Sequence, residues 1–359
     1  MINNELLARK LPELLVNPDG TKITTVEEWT KRREEIKKIL AEEEYGYLPP
    51  PPEKMEFETV EENARYCASK ALYRKIICKG LLGGKEFSFP FVYVNPVTPG
   101  KHKAFIHINF RDAVPDRYMP TEEIIDNDFA IASFCYEDVT SDNGDFTNGL
   151  AGVIYENGKR SANSCGKIMM WAWAAMRVMD YIIEQPEVET DKICVCGHSR
   201  LGKTALVTAA YDERFALAHS NDSGCSGAAI SRGKVGETIE NIANRFPFWF
   251  CENYQQYKNR EYEADFDQHF LLSLIAPRNL YIASAELDEW ADPKSEFLCA
   301  ASVTPVYELY GVKGLVTENR LPWLNEKLHN GKVAYHVRPG THYFSRTDWL
   351  MLMEYFRKI

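Results

Sequence analysis

The sequence predicts an α/β fold, a three-layer sandwich whose mostly parallel central sheet lies between helices. Three observations carry this. From roughly residue 100 onward, apolar strand-like runs alternate with helical patterns, as in a parallel sheet covered on both faces. The stretch from Ile193 to Leu206, ICVCGHSRLGKTAL, sets a buried strand, a glycine turn and a helix in immediate succession. The 359 residues show no internal repeat and no linker, which predicts one domain, 1–359, with an N-terminal helix and strand extension over about 1–100 packed on the core.

The elements follow in order. VEEWTKRREEIKKILAEEE (26–44) has an apolar stripe of Trp29, Ile36, Ile39 and Leu40, so a surface helix is expected. Four prolines at 49–52 end it. Residues 55–95 are rich in β-branched and aromatic residues, with Gly83-Gly84 as a turn, and predict an antiparallel edge to the sheet. KAFIHINF (103–110) and FAIASFCY (129–136) are continuous apolar runs that suit buried parallel strands. Residues 137–163 are polar and glycine-rich and predict a long loop. The helix expected at 166–184 is apolar on most faces and should be buried, Trp171 and Trp173 included.

Beyond the Ile193–Leu206 stretch, 215–229 predicts a short strand and a glycine-rich loop. An aromatic helical segment at 237–257 should form a lid or cleft wall. A strand is expected at Asn279–Ser284 with an acidic loop after it, then one helix over 296–312. VAYHVRPGTHYF (333–344) supplies the last strand and its exit loop, and TDWLMLMEYFRKI the closing helix.

Composition narrows the function. A net charge of −10 argues against a nucleic-acid partner, and no apolar run is long enough to span a membrane. The opening MINNELLARKLPELL lacks a basic start and apolar core, so a cytoplasmic location is expected, or a secreted or periplasmic one if a leader has been removed. The nine cysteines form no zinc-type pairs, and no metal or other cofactor is expected. Cys194 and Cys196 read as core residues, while Cys165 and Cys225 lack the setting of a nucleophile. The oligomeric state is left open.

The chemistry centres on Ser199. A serine at a strand-to-helix turn is a nucleophile elbow, here G-x-S-x-L-G in place of the common G-x-S-x-G. The helix that follows points free N–H groups at the reacting carbonyl, and Arg200 supplies the first of them. In α/β-hydrolases the acid and the histidine follow the serine along the chain. His342, in the loop after the last strand, is the expected base. Asp288, after the penultimate strand, and Asp222, after the strand next to the elbow, are both candidate acids. Lys203 lies one turn from Ser199; with Arg200 it favours an anionic or hydroxyl-rich substrate. Trp290, flanked by Glu289 and Asp292, is expected to be exposed. These features predict an α/β-hydrolase.

GHSRLGKTAL, SNDSGCSGAA, DQHFLLSLIAPR, SAELDEWADP and RPGTHYF together resemble the glucuronoyl esterases, the fifteenth family of carbohydrate esterases, over roughly 100–359. NPDG, VEEWTKRREEI and YGYLPP are similar to the openings of bacterial members. The resemblance implies a metal-free serine esterase acting on a carbohydrate ester, chiefly 4-O-methyl-glucuronoyl esters on xylan, with acetyl xylan or acetyl-oligosaccharide esters as the alternative. It implies Ser199 as nucleophile, Arg200 at the oxyanion, His342 as base, Asp222 or Asp288 as acid, and Lys203 and Trp290 on the sugar. Further sugar contacts are expected within 237–253, where Glu237 and Arg245 stand. A serine hydrolase for another substrate and a non-catalytic sugar-binding relative are the remaining expectations.

Overall fold

The computed structural model describes residues 2–359. Among them a ten-stranded sheet runs β1-β2-β3-β5-β4-β6-β7-β8-β10-β9. The strands are β1 Lys54–Arg65, β2 Ala71–Leu82, β3 Lys85–Pro96, β4 His102–Asn109, β5 Ala130–Cys135, β6 Val188–His198, β7 Leu217–Asn221, β8 Asn279–Ala285, β9 Lys327–Leu328 and β10 Val333–Arg338. From β5 through β10 each neighbouring pair is parallel. β1, β2 and β3 form the expected antiparallel meander and join the sheet through β3 against β5.

Alternation along β6 shows how sequence builds the two outer layers. Ile193 and Val195 join the core beneath the helices Lys167–Ile182 and Arg200–Tyr211. Cys194 and Cys196 face the opposite core, with Trp349 and Phe356 of the closing helix Arg346–Arg357. Period-two alternation puts each residue type against its own helix layer. Trp171 and Trp173 are buried as expected. This is the α/β-hydrolase architecture.

Three expectations change. The polar stretch 137–163 carries short helices at Tyr136–Val139 and Gly149–Ile154; side chains such as Asp145, accepting from the Thr147 N–H and hydroxyl, fold it locally. The single helix over 296–312 is two, Pro293–Ser302 and Thr304–Leu309. Pro305 lacks an N–H and its ring would meet the carbonyl one turn back, so the second helix starts afresh around it. Two-residue β9, too short for a sequence signal, adds an antiparallel edge beside β10. No helix among the described residues is long and apolar enough to cross a membrane.

Candidate active site

β6 ends at His198, and Ser199 opens the next helix with φ 58° and ψ −127°, a sparsely populated conformation that persists only where the surroundings enforce it. The Ser199 N–H donates to the Asn221 carbonyl at 2.8 Å, and its own carbonyl accepts from Gly202 N at 2.9 Å and Lys203 N at 3.2 Å. Two glycines make the turn possible. A Cβ on Gly197 would lie 2.2 Å from the Leu201 carbonyl oxygen, and one on Gly202 would lie 2.9 Å from Ser220 Oγ and 3.0 Å from Ser223 Cβ. The glycine in the sixth place thus allows the helix to sit close to β7, and Leu201 in the fifth is free to pack in the core. Arg200 is the first residue of that helix, where a backbone N–H has no intrahelical acceptor.

β8 and β10 are adjacent and parallel, so the loops leaving their C-terminal ends meet. There His342 Nδ1 and Asp288 Oδ2 are 2.6 Å apart. Asp288 is buried, Oδ1 accepting from Ala291 N at 3.3 Å, whereas His342 is half open to solvent. With Nδ1 held by the carboxylate, Nε2 is left as the free ring nitrogen.

Asp222, at the end of β7, also arrives here; its carboxylate, that of Asp288 and the His342 ring nitrogen fall within 4.8 Å of one another. Its Oδ1, however, accepts from Ala285 N at 2.7 Å. Burial, reinforced by the nearby Glu296, Asp348 and Asp288 carboxylates, pushes its pKa well above the usual carboxylate range. The residue beside the serine, His198, is also tied in. Its Nδ1 meets Asn221 Oδ1 at 2.6 Å, and its ring centroid lies 4.4 Å from that of His342. Burial, then the neighbouring His342, depresses its pKa, so it stands as a neutral wall.

All nine residues singled out in the sequence line one pocket of about 310 Å³: Ser199, Arg200, Lys203, Asp222, Glu237, Arg245, Asp288, Trp290 and His342. Lys203 is buried rather than a surface lysine. Its Nζ donates to the carbonyls of Ser223 and of Cys225, the latter at 2.7 Å, and lies 3.8 Å from Glu237. Burial lowers its pKa. Glu237 is buried against it, its N–H donating to the Trp290 carbonyl at 3.0 Å. Trp290 is 49% exposed at the rim, and Arg245 is exposed over Phe246.

Sequence reasoning missed Asp142, in the stretch expected to be loop. Its carboxylate accepts from the Arg200 guanidinium, from Trp249 Nε1 at 2.6 Å and from the Tyr136 hydroxyl at 2.9 Å. Trp249 stacks flat on Phe246 with centroids 3.8 Å apart, and the Arg200 guanidinium lies 4.7 Å from the Trp249 ring centre. TSDNGDFTNG offers two acids, Asp142 and Asp145, and only the tertiary fold distinguishes the first.

A serine on a strand-to-helix elbow, with a histidine–carboxylate pair in the same pocket of an α/β-hydrolase sheet, defines the class as serine hydrolase. The comparisons narrow it. Residues 83–311 match the family described as glucuronyl esterase, fungi. The chain is 32% identical to a carbohydrate esterase from an unknown prokaryotic organism, over 96% of this chain and 88% of the relative. It is 29% identical to the 4-O-methyl-glucuronoyl methylesterase of Thermothelomyces thermophilus, over 84% and 73%. The solved glucuronoyl esterase of Solibacter usitatus matches with a TM-score of 0.89 and 31% identity over 97% of both chains. A promiscuous CE15 esterase from the marine bacterial metagenome matches with a TM-score of 0.87 and 30% identity, over 97% of this chain and 96% of the other. The chain belongs to the glucuronoyl esterase family and is a carboxylic ester hydrolase.

Proposed function

We propose that this enzyme hydrolyses glucuronoyl esters of hemicellulose-derived sugars through a Ser199–His342–Asp288 triad. The observation that carries the proposal is the 2.6 Å contact of His342 Nδ1 with Asp288 in the pocket that holds the Ser199 elbow. His342 Nε2 takes the Ser199 hydroxyl proton as Oγ attacks the ester carbonyl. The oxyanion forms at the Arg200 N–H, with its guanidinium close by. Collapse breaks the bond to the alcohol, which leaves with the proton from His342. Water, deprotonated by the same nitrogen, then releases the uronic acid from Ser199 and returns the proton to Oγ. Asp288 holds the productive tautomer and stabilises the imidazolium.

The pocket suits a sugar acid. Its volume of about 310 Å³ sits at the small end for ligand sites and fits one sugar ring. Glu237 can accept hydrogen bonds from sugar hydroxyls, with the Lys203 ammonium 3.8 Å away to balance its charge, and Trp290 offers a ring face to sugar C–H groups. Arg245 adds a cation at the mouth.

The test is hydrolysis of a benzyl ester of glucuronic acid against an acetylated xylo-oligosaccharide, with Ser199→Ala as control. Preferred turnover of the glucuronate ester, abolished in the control, is expected. Preference for the acetyl ester would keep the triad and overturn the substrate. Turnover that survives in Ser199→Ala would overturn both.

A further inference from the structure

The loop that presents His342 is folded around one buried guanidinium. Arg338 is the last residue of β10 and only 4% exposed. Its Nη1 donates to the Pro339 carbonyl at 3.0 Å, and its Nη2 donates to the carbonyls of Thr341, at 3.3 Å, and Tyr343. The two residues flanking His342 thus turn their carbonyls onto the same nitrogen. Gly340 has φ 112°, and a Cβ there would lie 2.9 Å from Nη1, so the glycine is what lets the backbone wrap this tightly.

The guanidinium is itself anchored. Its Nε donates to Asp348 Oδ2 at 2.7 Å, and the same oxygen accepts from the Ser345 N–H and hydroxyl, each at 2.7 Å, in the capping box of the closing helix. Asp348 Oδ1 meets His336 Nε2 at 2.9 Å. Burial acts to raise the Asp348 pKa, but His336 and Arg338 overcome it and hold the carboxyl at about 2. The anchor is therefore a charged pair, and removing either partner leaves the other buried and uncompensated. Toward the site, Arg338 Nη2 faces Asp222 Oδ2 at 3.6 Å. Its carbonyl accepts from Glu286 N at 2.8 Å, and the Gly340 carbonyl accepts from Leu287 N at 2.9 Å. The segment that carries Asp288 is thus tied to the one that carries His342.

We infer that Arg338 is a positioning residue for catalysis: its guanidinium, fixed by Asp348, sets the loop conformation that aims His342 at Ser199 and at Asp288. The inference rests on the proposed role of His342 as base. Planar, multiply donating geometry is what the task requires, and a lysine ammonium at the end of a flexible stem cannot serve three carbonyls and a carboxylate in one plane.

The experiment compares Arg338→Lys, Arg338→Ala and His342→Ala in the full chain, with the benzyl ester of glucuronic acid as substrate and circular dichroism to confirm folding. Both Arg338 variants should lose about a hundredfold in kcat, the scale of a misplaced catalytic group. KM should stay within about twofold, because the loop does not hold the sugar. Added guanidinium ion should restore part of the kcat of Arg338→Ala by refilling the vacated site. A folded Arg338 variant with kcat near wild type, or with a loss confined to KM, overturns the inference. If Arg338→Ala does not fold, Arg338→Lys decides on the same kcat and KM criterion. Activity in His342→Ala would instead overturn the triad, so the two failures are told apart.

Discussion

Two acids compete for His342, and they differ in what else they hold. Asp288 gives Oδ2 to the imidazole at 2.6 Å, whereas Asp222 is bound to Ala285 N and has its pKa driven up by burial and neighbouring carboxylates. A carboxyl whose charged form is disfavoured by burial and by neighbouring carboxylates is the weaker partner for an imidazolium. Asp288→Asn should therefore lower kcat by about 10⁴-fold, the scale seen when a triad histidine loses its tautomer control. Asp222→Asn should cost less than about tenfold, since it leaves the His342 contact intact; comparable losses in steady-state assays would contradict this. Chain order made Ser199 and His342 legible in the sequence. It could not separate the acids, because β7 and β8 are neighbours and both carboxylates emerge at the same sheet edge. Asp142 and Arg338 were invisible for a related reason. Asp142 meets Arg200 and Trp249, 58 and 107 residues further along the chain, and Arg338 turns back onto the carbonyls of its own loop and onto Asp348 in an arrangement that no sequence motif marks.

At the scale of the element, the elbow was read correctly because its signals are local: a strand, a glycine and a helix. Gly197→Ala would drive a methyl group to 2.2 Å from the Leu201 carbonyl. It should destabilise the fold by about 3 kcal/mol and lower the melting temperature; a melt within a degree or so of wild type would refute the close approach. The helix Val26–Glu43 was equally legible from its apolar stripe, and the structure adds a capping box of Thr25 and Glu28 at its start. What was not legible is its C-cap, Glu44. Burial, only partly offset by the Gln268 amide at 2.8 Å, raises its pKa to about 8. The unfolded chain releases this proton at the ordinary carboxylate pH, and the folded chain retains it until about pH 8. The unfolded state therefore binds fewer protons in that window, and stability falls as pH rises, by up to ~1.4 kcal/mol per pH unit from this group. Urea unfolding between about pH 5 and pH 8 should show a shallower decline in Glu44→Gln than in wild type; identical slopes would refute the assignment.

For the whole molecule, the alternation of strands and helices beyond residue 100 was enough to predict a parallel sheet between helix layers. The short β9, the divided helix before it and the helices within 137–163 depend on tertiary packing or on too few residues to leave a pattern. The N-terminal extension is joined to the core at several points. β3 pairs with β5, Arg33 donates to the Leu274 carbonyl at 2.9 Å, and the Tyr45 hydroxyl donates to the Ser226 carbonyl at 3.0 Å. We expect residues 1–359 to unfold as one unit, giving a single calorimetric transition; a separate early transition from the first hundred or so residues would contradict this. These layers bring Ser199, His342 and Asp288 to one pocket of about 310 Å³, and the proposed role of Ser199 as the residue that carries the acyl group is open to a single experiment. Rapid acid quench of wild-type enzyme during turnover of the benzyl ester of glucuronic acid, followed by peptide mass spectrometry, tests it most directly. A glucuronoyl adduct is expected on the peptide containing Ser199, absent in Ser199→Ala. An adduct on another residue, or turnover of the ester by the Ser199→Ala protein, would contradict it.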